Sequence, residues 1–273
     1  MAIWLNGRVL TESDAVVSVF DHGLTVGDGV FETLNSHHGV PFALTRHLRR
    51  LSRSAAAVGL PTPDHDLLAT AVSAVLAGTA WARGRVRITL TAGPGPASSE
   101  RGSDGFTLLV TSGPQKPAAP TSELTVVPWT RNERAATAGV KSTSYADNVV
   151  ALAHAKQRGA SEALFANTRG QLCEGTGSNV FYVAEGRLLT PTLASGCLAG
   201  VTRELVLEWC EEAAEEDAPV DVLRTAQEVF LVSTVRDVQP VHACDGVQYP
   251  APGPVTRRVQ RQWASKVAQT ADP

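Results

Sequence analysis

The sequence predicts an α+β fold made of two halves that are joined near residue 117. Short runs rich in β-branched residues alternate with longer runs that begin at capping residues and end at glycine or proline. The segment Ser112 to Pro120 holds three prolines and separates two such sets, so it is predicted as a linker. We therefore expect a first α/β domain over residues 1–113, a linker over 114–121 and a second α/β domain over 122–273.

The first half is predicted to contain six strands and two helices. A tight turn at Asn6-Gly7 joins the first two strands. Thr45 is expected to cap a helix that runs to about Val58 and is stopped by Gly59 and Pro61. The other elements are a helix at 64–76 and strands at 3–6, 8–10, 16–20, 31–35, 85–91 and 106–111.

The second half is predicted to begin with a strand at 124–127 and a polar loop that reaches Lys141. Thr202 is a plausible cap for a helix that ends near Ala214. The other elements are helices at 147–158 and 254–267 and strands at 162–166, 180–183, 187–189 and 228–233. No internal repeat is visible.

Composition narrows the classes of function. The chain has 273 residues, is 43% hydrophobic and carries a net charge of −3, which allows a sizeable core and gives no sign of a polyanionic partner. The helically spaced arginines 46, 49, 50 and 53 lack interleaved aromatic residues, so no nucleic-acid role is expected. No run approaches the roughly 20 apolar residues of a membrane span. The first seven residues lack the pattern of a signal peptide, and we expect a cytoplasmic protein.

The four cysteines, Cys173, Cys197, Cys210 and Cys244, are widely spaced. They form no C-x-x-C pair and have no nearby histidine at zinc spacing. We expect reduced, buried thiols and no metal site.

Lysine is rare, with only four among the 24 basic Lys and Arg residues. Chemistry that uses a lysine amine as a nucleophile needs that amine unprotonated near neutral pH and fixed in place. Lys116 lies in the linker, while Lys156 and Lys266 lie in predicted helices with solvent around them. Lys141 stands between small residues just before a helix. On position alone, an ordinary surface lysine is the favoured interpretation of Lys141.

Five segments, in order along the chain, reverse that interpretation. They resemble the motifs of class IV aminotransferases, the fold-type IV enzymes that use pyridoxal 5'-phosphate (PLP). The segments are Val26-Gly-Asp-Gly-Val-Phe-Glu-Thr33 with His47-Leu-Arg-Arg-Leu51, Gly139-Val-Lys-Ser-Thr-Ser-Tyr-Ala-Asp-Asn148, Glu162-Ala-Leu-Phe-Ala-Asn167 with Cys173-Glu-Gly-Thr-Gly-Ser-Asn-Val-Phe181, Leu198-Ala-Gly-Val-Thr-Arg203, and Ser233-Thr-Val-Arg-Asp-Val-Gln-Pro-Val241. Because the segments are collinear and span almost the whole chain, the resemblance is specific.

The resemblance implies a two-domain fold-type IV architecture, similar to that of D-amino acid aminotransferases, with PLP as cofactor. Lys141 would form the Schiff base with PLP and move a proton at the substrate carbon. Glu174 would face the pyridine nitrogen and keep it protonated, although a solvated turn residue is the alternative. Arg50 would bind the phosphate through its guanidinium fork, while the other arginines of its helix stay solvated.

Further cofactor contacts are implied near two element ends. Val201 and Thr202 would hold the phosphate at the start of a helix, which is compatible with capping by Thr202. Ser233 and Thr234 match a second phosphate contact, with a plain strand end as the alternative. Phe31 matches an aromatic residue that lines the substrate pocket, and it could equally belong to the core.

The family includes branched-chain and D-amino acid aminotransferases, R-selective amine transaminases and 4-amino-4-deoxychorismate lyases. The turn that carries a carboxylate-binding arginine in D-amino acid enzymes reads Thr91-Ala-Gly-Pro-Gly95 here, and Val30-Phe-Glu-Thr-Leu34 lacks the Glu-Gly-Ile-Arg continuation common in branched-chain enzymes. Arg101 resembles the loop arginine of the lyases, which could pair with a substrate carboxylate. A solvated loop arginine is the alternative.

The resemblance therefore favours a lyase that converts aminodeoxychorismate to 4-aminobenzoate and pyruvate, for folate biosynthesis or for a specialised pathway. The first alternative is a class IV aminotransferase acting on a branched-chain or D-amino acid or on an amine. The second is a non-catalytic family member that serves as a binding protein, which the joint presence of Lys141, Glu174 and Arg50 argues against. A homodimer is also implied, with a small-molecule site between the two domains that partner loops complete.

Overall fold

The structure is a computed structural model that describes residues 2–273. The chain forms two compact units. The first unit extends to Lys116 and also includes Val140–Tyr145 and Ala271–Pro273. The second unit comprises Pro117–Gly139 and Ala146–Thr270. The lysine segment was predicted to belong to the second domain, whereas it packs within the first unit.

The first unit is one antiparallel sheet with two long helices. Its elements are β1 (Ile3–Leu5), β2 (Arg8–Leu10), α1 (His22–Thr25), β3 (Gly29–His37), β4 (Val40–Pro41), α2 (Leu44–Ala57), α3 (His65–Leu76), β5 (Arg83–Thr91) and β6 (Thr107–Pro114). The six strands lie in the order β2-β1-β6-β5-β3-β4. Since β4 pairs only with the end of β3, the edge of β3 at Gly29 to Phe31 is left for another segment.

The two faces of this sheet differ because strand side chains alternate. Val30, Leu34 and Ile88 point into a core that includes Leu48 and Leu51 of α2. The opposite face carries the alternate side chains of each strand. On that face Phe31 pairs with Thr89, and Thr33 pairs with Arg87. On β3 and β5 this second face is polar apart from Phe31, whereas Leu109 and Leu5 follow on β6 and β1. The β3–β5 part is the one that concerns the site.

The second unit is built on a mixed nine-stranded sheet. Its elements are β7 (Ser122–Arg131), α4 (Ala146–Gln157), β8 (Glu162–Asn167), β9 (Leu172–Gly175), β10 (Asn179–Ala184), β11 (Arg187–Thr190), α5 (Val201–Trp209), β12 (Ala213–Glu215), β13 (Glu228–Ser233), β14 (Asp237–Cys244), β15 (Val247–Gln248) and α6 (Pro254–Val267), with short 3-10 turns at Leu193–Ser195 and Val220–Arg224. The strand order is β12-β11-β10-β13-β14-β7-β8-β9, and β15 pairs with β14. Helix α4 packs on β7 and β8, while α5 and α6 pack on β13 and β14.

Several predicted elements differ from the structure. No strand forms at 16–20, because this segment pairs with no neighbouring strand and leaves Val16, Val17, Val19 and Phe20 exposed. Helix α5 ends at Trp209 rather than near Ala214, since Cys210 already has an extended backbone that leads into β12. The eight-residue strand β14 was not predicted.

Both predicted threonine caps are wrong. The residue that precedes α2 is Ala43, with φ 55°, and the backbone N–H of Thr45 donates at 3.0 Å to the carboxylate of Asp272. A distant aspartate thus supplies the acceptor that a capping side chain would give. Helix α5 is preceded by Gly200, which has no side chain that could cap it. Thr202 lies inside the first turn of the helix.

All four cysteines are buried and unpaired, as predicted. No helix within residues 2–273 combines the length and apolar character that a bilayer crossing demands. Across the same residues, no group of three or more His, Cys, Asp or Glu side chains could hold a metal ion.

Candidate active site

The lysine segment lies along the uncovered edge of β3. The carbonyl oxygen of Lys141 accepts from the N–H of Phe31 at 2.9 Å, and the N–H of Thr143 donates to the carbonyl of Gly29 at 2.8 Å. The Lys141 N–H also donates to the Ser54 hydroxyl on α2 at 3.3 Å. A Cβ at position 29 would lie 2.8 Å from the carbonyl oxygen of Leu90, so only glycine allows this close packing. The backbone of Lys141 is therefore fixed to the first unit.

The Lys141 amine contacts an aromatic ring on the polar face of the sheet. Its Nζ lies 4.5 Å from the centroid of the buried Phe31 ring. The guanidinium carbon of Arg87 lies 3.9 Å from the same centroid. Tyr145 packs its ring edge-on against Phe31 at 5.5 Å. Two cations and two aromatic rings thus form one cluster, in which the predicted residues Lys141 and Phe31 are brought together.

The predicted phosphate-binding Arg50 is held by a buried carboxylate. Its Nε and Nη2 each donate at 2.7 Å to the two oxygens of Glu32, which is fully buried on β3. His47, one turn earlier on α2, shares the same carboxylate at 2.7 Å. The guanidinium is therefore fixed in orientation by a bidentate pair, while Arg49 and Arg53 of the same helix are exposed as predicted.

The pKa values of Glu32 and His47 in this buried cluster both lie below their ordinary values. Burial alone would raise the pKa of Glu32, but the charge and hydrogen bonds of Arg50, together with those of His47, lower it to about 2. Burial lowers the pKa of His47, and this effect outweighs its hydrogen bond to Glu32. The stable arrangement near neutral pH is an ionised carboxylate between a guanidinium and a neutral imidazole.

Arg101, which is predicted to bind substrate, already has a carboxylate partner in the structure. Its guanidinium donates to both carboxylate oxygens of Asp28 at 2.7 Å and to the carbonyls of Val58 and Gly59. A substrate carboxylate would have to displace Asp28. In this geometry Arg101 fastens the loop at 93–105 to the rest of the first unit.

Glu174 lies on β9 in the second unit with both carboxylate oxygens engaged. One oxygen accepts from the N–H of Leu198 at 2.9 Å, and the other lies 3.3 Å from Nε of Arg131. Arg131 also donates to Asn148 at 3.0 Å and stacks on the Phe165 ring. Glu174 is therefore an oriented carboxylate, in contrast to the solvated turn residue of the alternative interpretation.

Val201 and Thr202 form the first turn of α5 and are both buried. Gly200 precedes them, and a Cβ there would overlap the amide oxygen of Asn179. Asn179 in turn donates to the carbonyl of Leu198 at 2.9 Å. The N-terminus of a nine-residue helix, with its N–H groups and positive end, is thereby held close to β10.

Ser233 ends β13, and Thr234 follows it in the turn to β14. The Ser233 hydroxyl accepts from the N–H of Arg236 at 3.3 Å, which keeps the turn compact. Glu174, Val201, Thr202, Ser233 and Thr234 thus all belong to the second unit, whereas Lys141, Arg50 and Phe31 belong to the first.

Each unit by itself offers groups of the kinds that bind PLP. The first unit offers one positioned lysine amine and an arginine whose guanidinium is already oriented. The second unit offers a carboxylate with fixed direction, a helix N-terminus and a hydroxyl-bearing turn. These are the groups that an aldehyde, a pyridine nitrogen and a phosphate require.

Sequence reasoning missed four residues that matter to this geometry, namely Glu32, His47, Arg87 and Arg131. His47 precedes Arg50 by three residues, the spacing of neighbours on one helix face, which would have indicated a shared partner. Arg87 alternates with Val86 and Ile88 on β5, so its position on the polar face could have been found from the strand pattern. No local pattern indicated that Glu32 is the carboxylate which both α2 residues bind.

Comparison with known proteins adds an independent observation. A family model described as amino-transferase class IV matches residues 29–244. The D-alanine aminotransferase of Bacillus licheniformis is 31% identical over 270 residues, covering 95% of each protein. The aminodeoxychorismate lyase of Bacillus subtilis is 30% identical over 261 residues, covering 90% of this chain and 88% of that protein.

Among solved structures, a branched-chain aminotransferase from Thermoproteus uzoniensis with norvaline aligns with a TM-score of 0.91 at 28% identity. The alignment covers 98% of this chain and 94% of that one. Proteins of different activity therefore match this chain over nearly its full length and at similar identity.

Proposed function

Because the chain belongs to the class IV aminotransferase family and is therefore a PLP-dependent enzyme, we propose that it is an aminodeoxychorismate lyase that releases 4-aminobenzoate and pyruvate. The observation that carries this proposal is the cationic, polar face beside Lys141. Arg87 contacts the same ring as the Lys141 amine and stays accessible to solvent, and its strand neighbours on that face are Arg85 and Thr89.

The charge of this face favours one substrate class over another. An aliphatic side chain gains free energy from an apolar pocket, at about 25 cal/mol per Å² of buried apolar surface. It would gain little beside Arg87, Arg85 and Thr33. Aminodeoxychorismate carries two carboxylates, and a guanidinium binds a carboxylate through charge-assisted hydrogen bonds. We assign Arg87 to one of these carboxylates, in place of the predicted Arg101, which is engaged by Asp28.

Lys141 acts as the proton carrier in this reaction. Bound PLP supplies the electron sink that makes the substrate carbon acidic. The Lys141 amine takes the proton from C4 of the substrate, the bond from C3 to the ether oxygen breaks, and the released enolpyruvate gains a proton to become pyruvate. The ring becomes aromatic in the same process, which supplies the driving force, so one amine suffices as base and acid.

The remaining residues hold the cofactor. Glu174 keeps the ring nitrogen protonated, and its fixed direction between Leu198 and Arg131 suits that task. Arg50 and the first turn of α5, at Val201 and Thr202, bind the phosphate, with Ser233 and Thr234 as further contacts. Oriented side chains support the assignments of Glu174, Arg50 and Ser233, and a helix end supports those of Val201 and Thr202.

We also propose that the enzyme is a homodimer. Val16, Val19, Phe20 and Leu24 are each more than half exposed within a segment of nine residues. Exposed apolar side chains at this density are typical of interaction surfaces, and a self-complementary pair of copies is the commonest occupant. Light scattering should give twice the chain mass, and Val19→Asp should shift the enzyme toward the mass of a single chain.

The decisive experiment compares two reactions with the same PLP-loaded enzyme. Aminodeoxychorismate should yield 4-aminobenzoate and pyruvate in equal amounts, and Lys141→Ala should abolish this yield. Arg87→Met should raise KM for aminodeoxychorismate by about 10-fold or more, because a charge-assisted carboxylate contact is worth about 1.5–3 kcal/mol. Arg85→Met, two residues away on the same strand, is the matched control and should change KM little.

Aminotransfer is the second candidate, because the D-alanine and branched-chain aminotransferases among the relatives are as similar as the lyase. Incubation with D-alanine or leucine and 2-oxoglutarate should then produce glutamate. Amino exchange without any release of 4-aminobenzoate would replace the lyase proposal with this one.

A further inference from the structure

We propose that Glu162 is a positioning residue that holds together two cofactor-binding loops of the second unit. One loop, residues 175–178, follows Glu174, and the other, residues 233–236, carries Ser233 and Thr234. The proposal rests on the assignment of those three residues to PLP in the proposed function. It does not depend on whether the enzyme acts as a lyase or as an aminotransferase.

Glu162 fixes the first loop through several donors. The side chain begins β8 and is buried. One carboxylate oxygen accepts from both the N–H of Thr176, at 3.2 Å, and the Thr176 hydroxyl. The other oxygen accepts from the Ser178 hydroxyl at 3.2 Å. The turn that follows Glu174 is therefore bound to this carboxylate at both of its ends.

A glycine makes this approach possible. A Cβ at Gly175 would lie 3.3 Å from the carboxylate carbon of Glu162, and it would also overlap the Ser178 hydroxyl. The N–H of Gly175 donates to the carbonyl of Ser178 at 2.8 Å and closes the loop. The backbone that follows Glu174 is thus held in place by the contacts of this loop with Glu162.

The second loop reaches the same carboxylate through Arg236. Its Nη2 donates to Glu162 at 3.1 Å, and its backbone N–H donates to the Ser233 hydroxyl at 3.3 Å. Arg236 is only 18% exposed and also donates to Gln239 on β14. One carboxylate therefore connects the residue proposed for the ring nitrogen with the residues proposed for the phosphate.

A carboxylate is the group that this position needs. It offers two oxygens and about four acceptor sites, and it neutralises the half-buried guanidinium of Arg236. Glutamine has the same size, but it would turn an NH₂ group toward the donors at one end. Glu162→Gln thus breaks the network at one end and removes the negative charge that pairs with Arg236, while the packing volume stays unchanged.

Glu228 provides a matched control. It is also a buried glutamate of the second unit, and its carboxylate accepts from the N–H groups of Val255 and Thr256 at 2.9 and 2.8 Å and from the Thr256 hydroxyl at 2.7 Å. Those donors belong to the start of α6, which carries none of the residues assigned to PLP. Glu228→Gln therefore loses comparable hydrogen bonds at a place that the cofactor does not use.

The test has two readouts. Hydrogen exchange of the PLP-free proteins should be faster at 175–178 and at 233–236 in Glu162→Gln, and faster only at the start of α6 in Glu228→Gln. Titration with PLP, followed by absorbance, should show affinity reduced about 10-fold or more in Glu162→Gln, the size typical of losing a partner that orients a ligand-binding group. The Glu228→Gln protein should bind PLP like the parent enzyme.

A further variant separates the two loops and remains informative if Glu162→Gln does not fold. Arg236→Met should speed exchange at 233–236, leave 175–178 protected, and weaken PLP binding. Unchanged PLP affinity in Glu162→Gln, or equal weakening in both glutamine variants, overturns the proposal. If alanine at Glu174, Ser233 and Thr234 leaves PLP affinity intact, the cofactor assignment fails instead, whereas a loss of lyase activity alone affects neither.

Discussion

Two arginine–carboxylate pairs in the first unit have the same geometry and opposite surroundings. Arg50 binds Glu32 and Arg101 binds Asp28, each through two hydrogen bonds of 2.7 Å. The side chains of the first pair are 6% and 0% exposed, whereas those of the second are 37% and 19% exposed. Geometry alone therefore does not decide what a pair contributes. Burial determines whether the pair stabilises the interior or only fastens a loop.

The difference in burial between the two pairs also affects what each arginine can do. Arg50 is locked by a carboxylate that solvent does not reach, so its orientation is set before any ligand arrives. Preorganisation of this kind lowers the cost of binding an anion. The Arg101 pair is open to water and salt, which weakens it, and its contacts with Asp28, Val58 and Gly59 hold the loop at 93–105.

The largest expected effect is at the buried pair. Glu32→Ala leaves the charge of Arg50 without its partner in the interior and should lower the free energy of unfolding by about 3–5 kcal/mol. Urea unfolding of the PLP-free protein measures this change. A loss below about 1 kcal/mol would mean that water reaches Arg50 and that the two pairs are alike after all.

The second-largest expected effect is that of acid on the buried cluster of Glu32, Arg50 and His47. The folded pKa of His47 lies below its ordinary value and that of Glu32 lies at about 2, so in both cases the unfolded chain binds more protons. The stabilising contribution is present above the ordinary pKa values and is lost as the pH falls, first near 6.5 for His47 and then between about 4.5 and 2 for Glu32. Unfolding free energies measured from pH 7 to pH 3 should decrease throughout.

A matched variant isolates this acid effect. Glu32→Gln cannot titrate at position 32, so its stability should decrease less between pH 5 and pH 3 than that of the parent enzyme. Parallel curves for the two proteins would show that other carboxylates account for the acid sensitivity.

The smallest expected effect is at the exposed pair. Asp28→Ala should cost no more than about 1 kcal/mol, and 0.5 M NaCl should reduce even that, because exposed ion pairs are weak and screened by salt. Hydrogen exchange at 93–105 should nevertheless become faster, since Arg101 loses its anchor. A cost of about 3 kcal/mol or more would contradict the comparison drawn between the two pairs.

Residue type and spacing were enough to propose the cofactor-binding residues from the sequence alone. Lys141, Glu174 and Arg50 stand in collinear motifs, and the structure gives each a fixed backbone or a bound side chain. The α+β class and most strands followed from β-branched runs, and β13 and α6 were predicted with the bounds that the structure shows.

The predictions that failed concern residues whose partners are distant in the chain. The donor at Thr45 is satisfied by Asp272, 227 residues away, and no local rule for helix starts can find such an acceptor. Val16 to Phe20 has the composition of a strand, but no neighbouring strand is available to it. The lysine segment lies next to the second unit in sequence, yet the free edge of β3 determines where it packs.

The division of the chain into units also has a consequence for how the protein is made. The first unit includes residues 140–145 and 271–273, which follow the start of the second unit in the sequence. The polypeptide therefore passes between the units four times. A ribosome delivers residues in order, and domains usually fold as soon as they emerge. Here the sheet with α2 must wait for residues 271–273 before the N–H of Thr45 finds its acceptor, and neither unit can be excised as one continuous fragment.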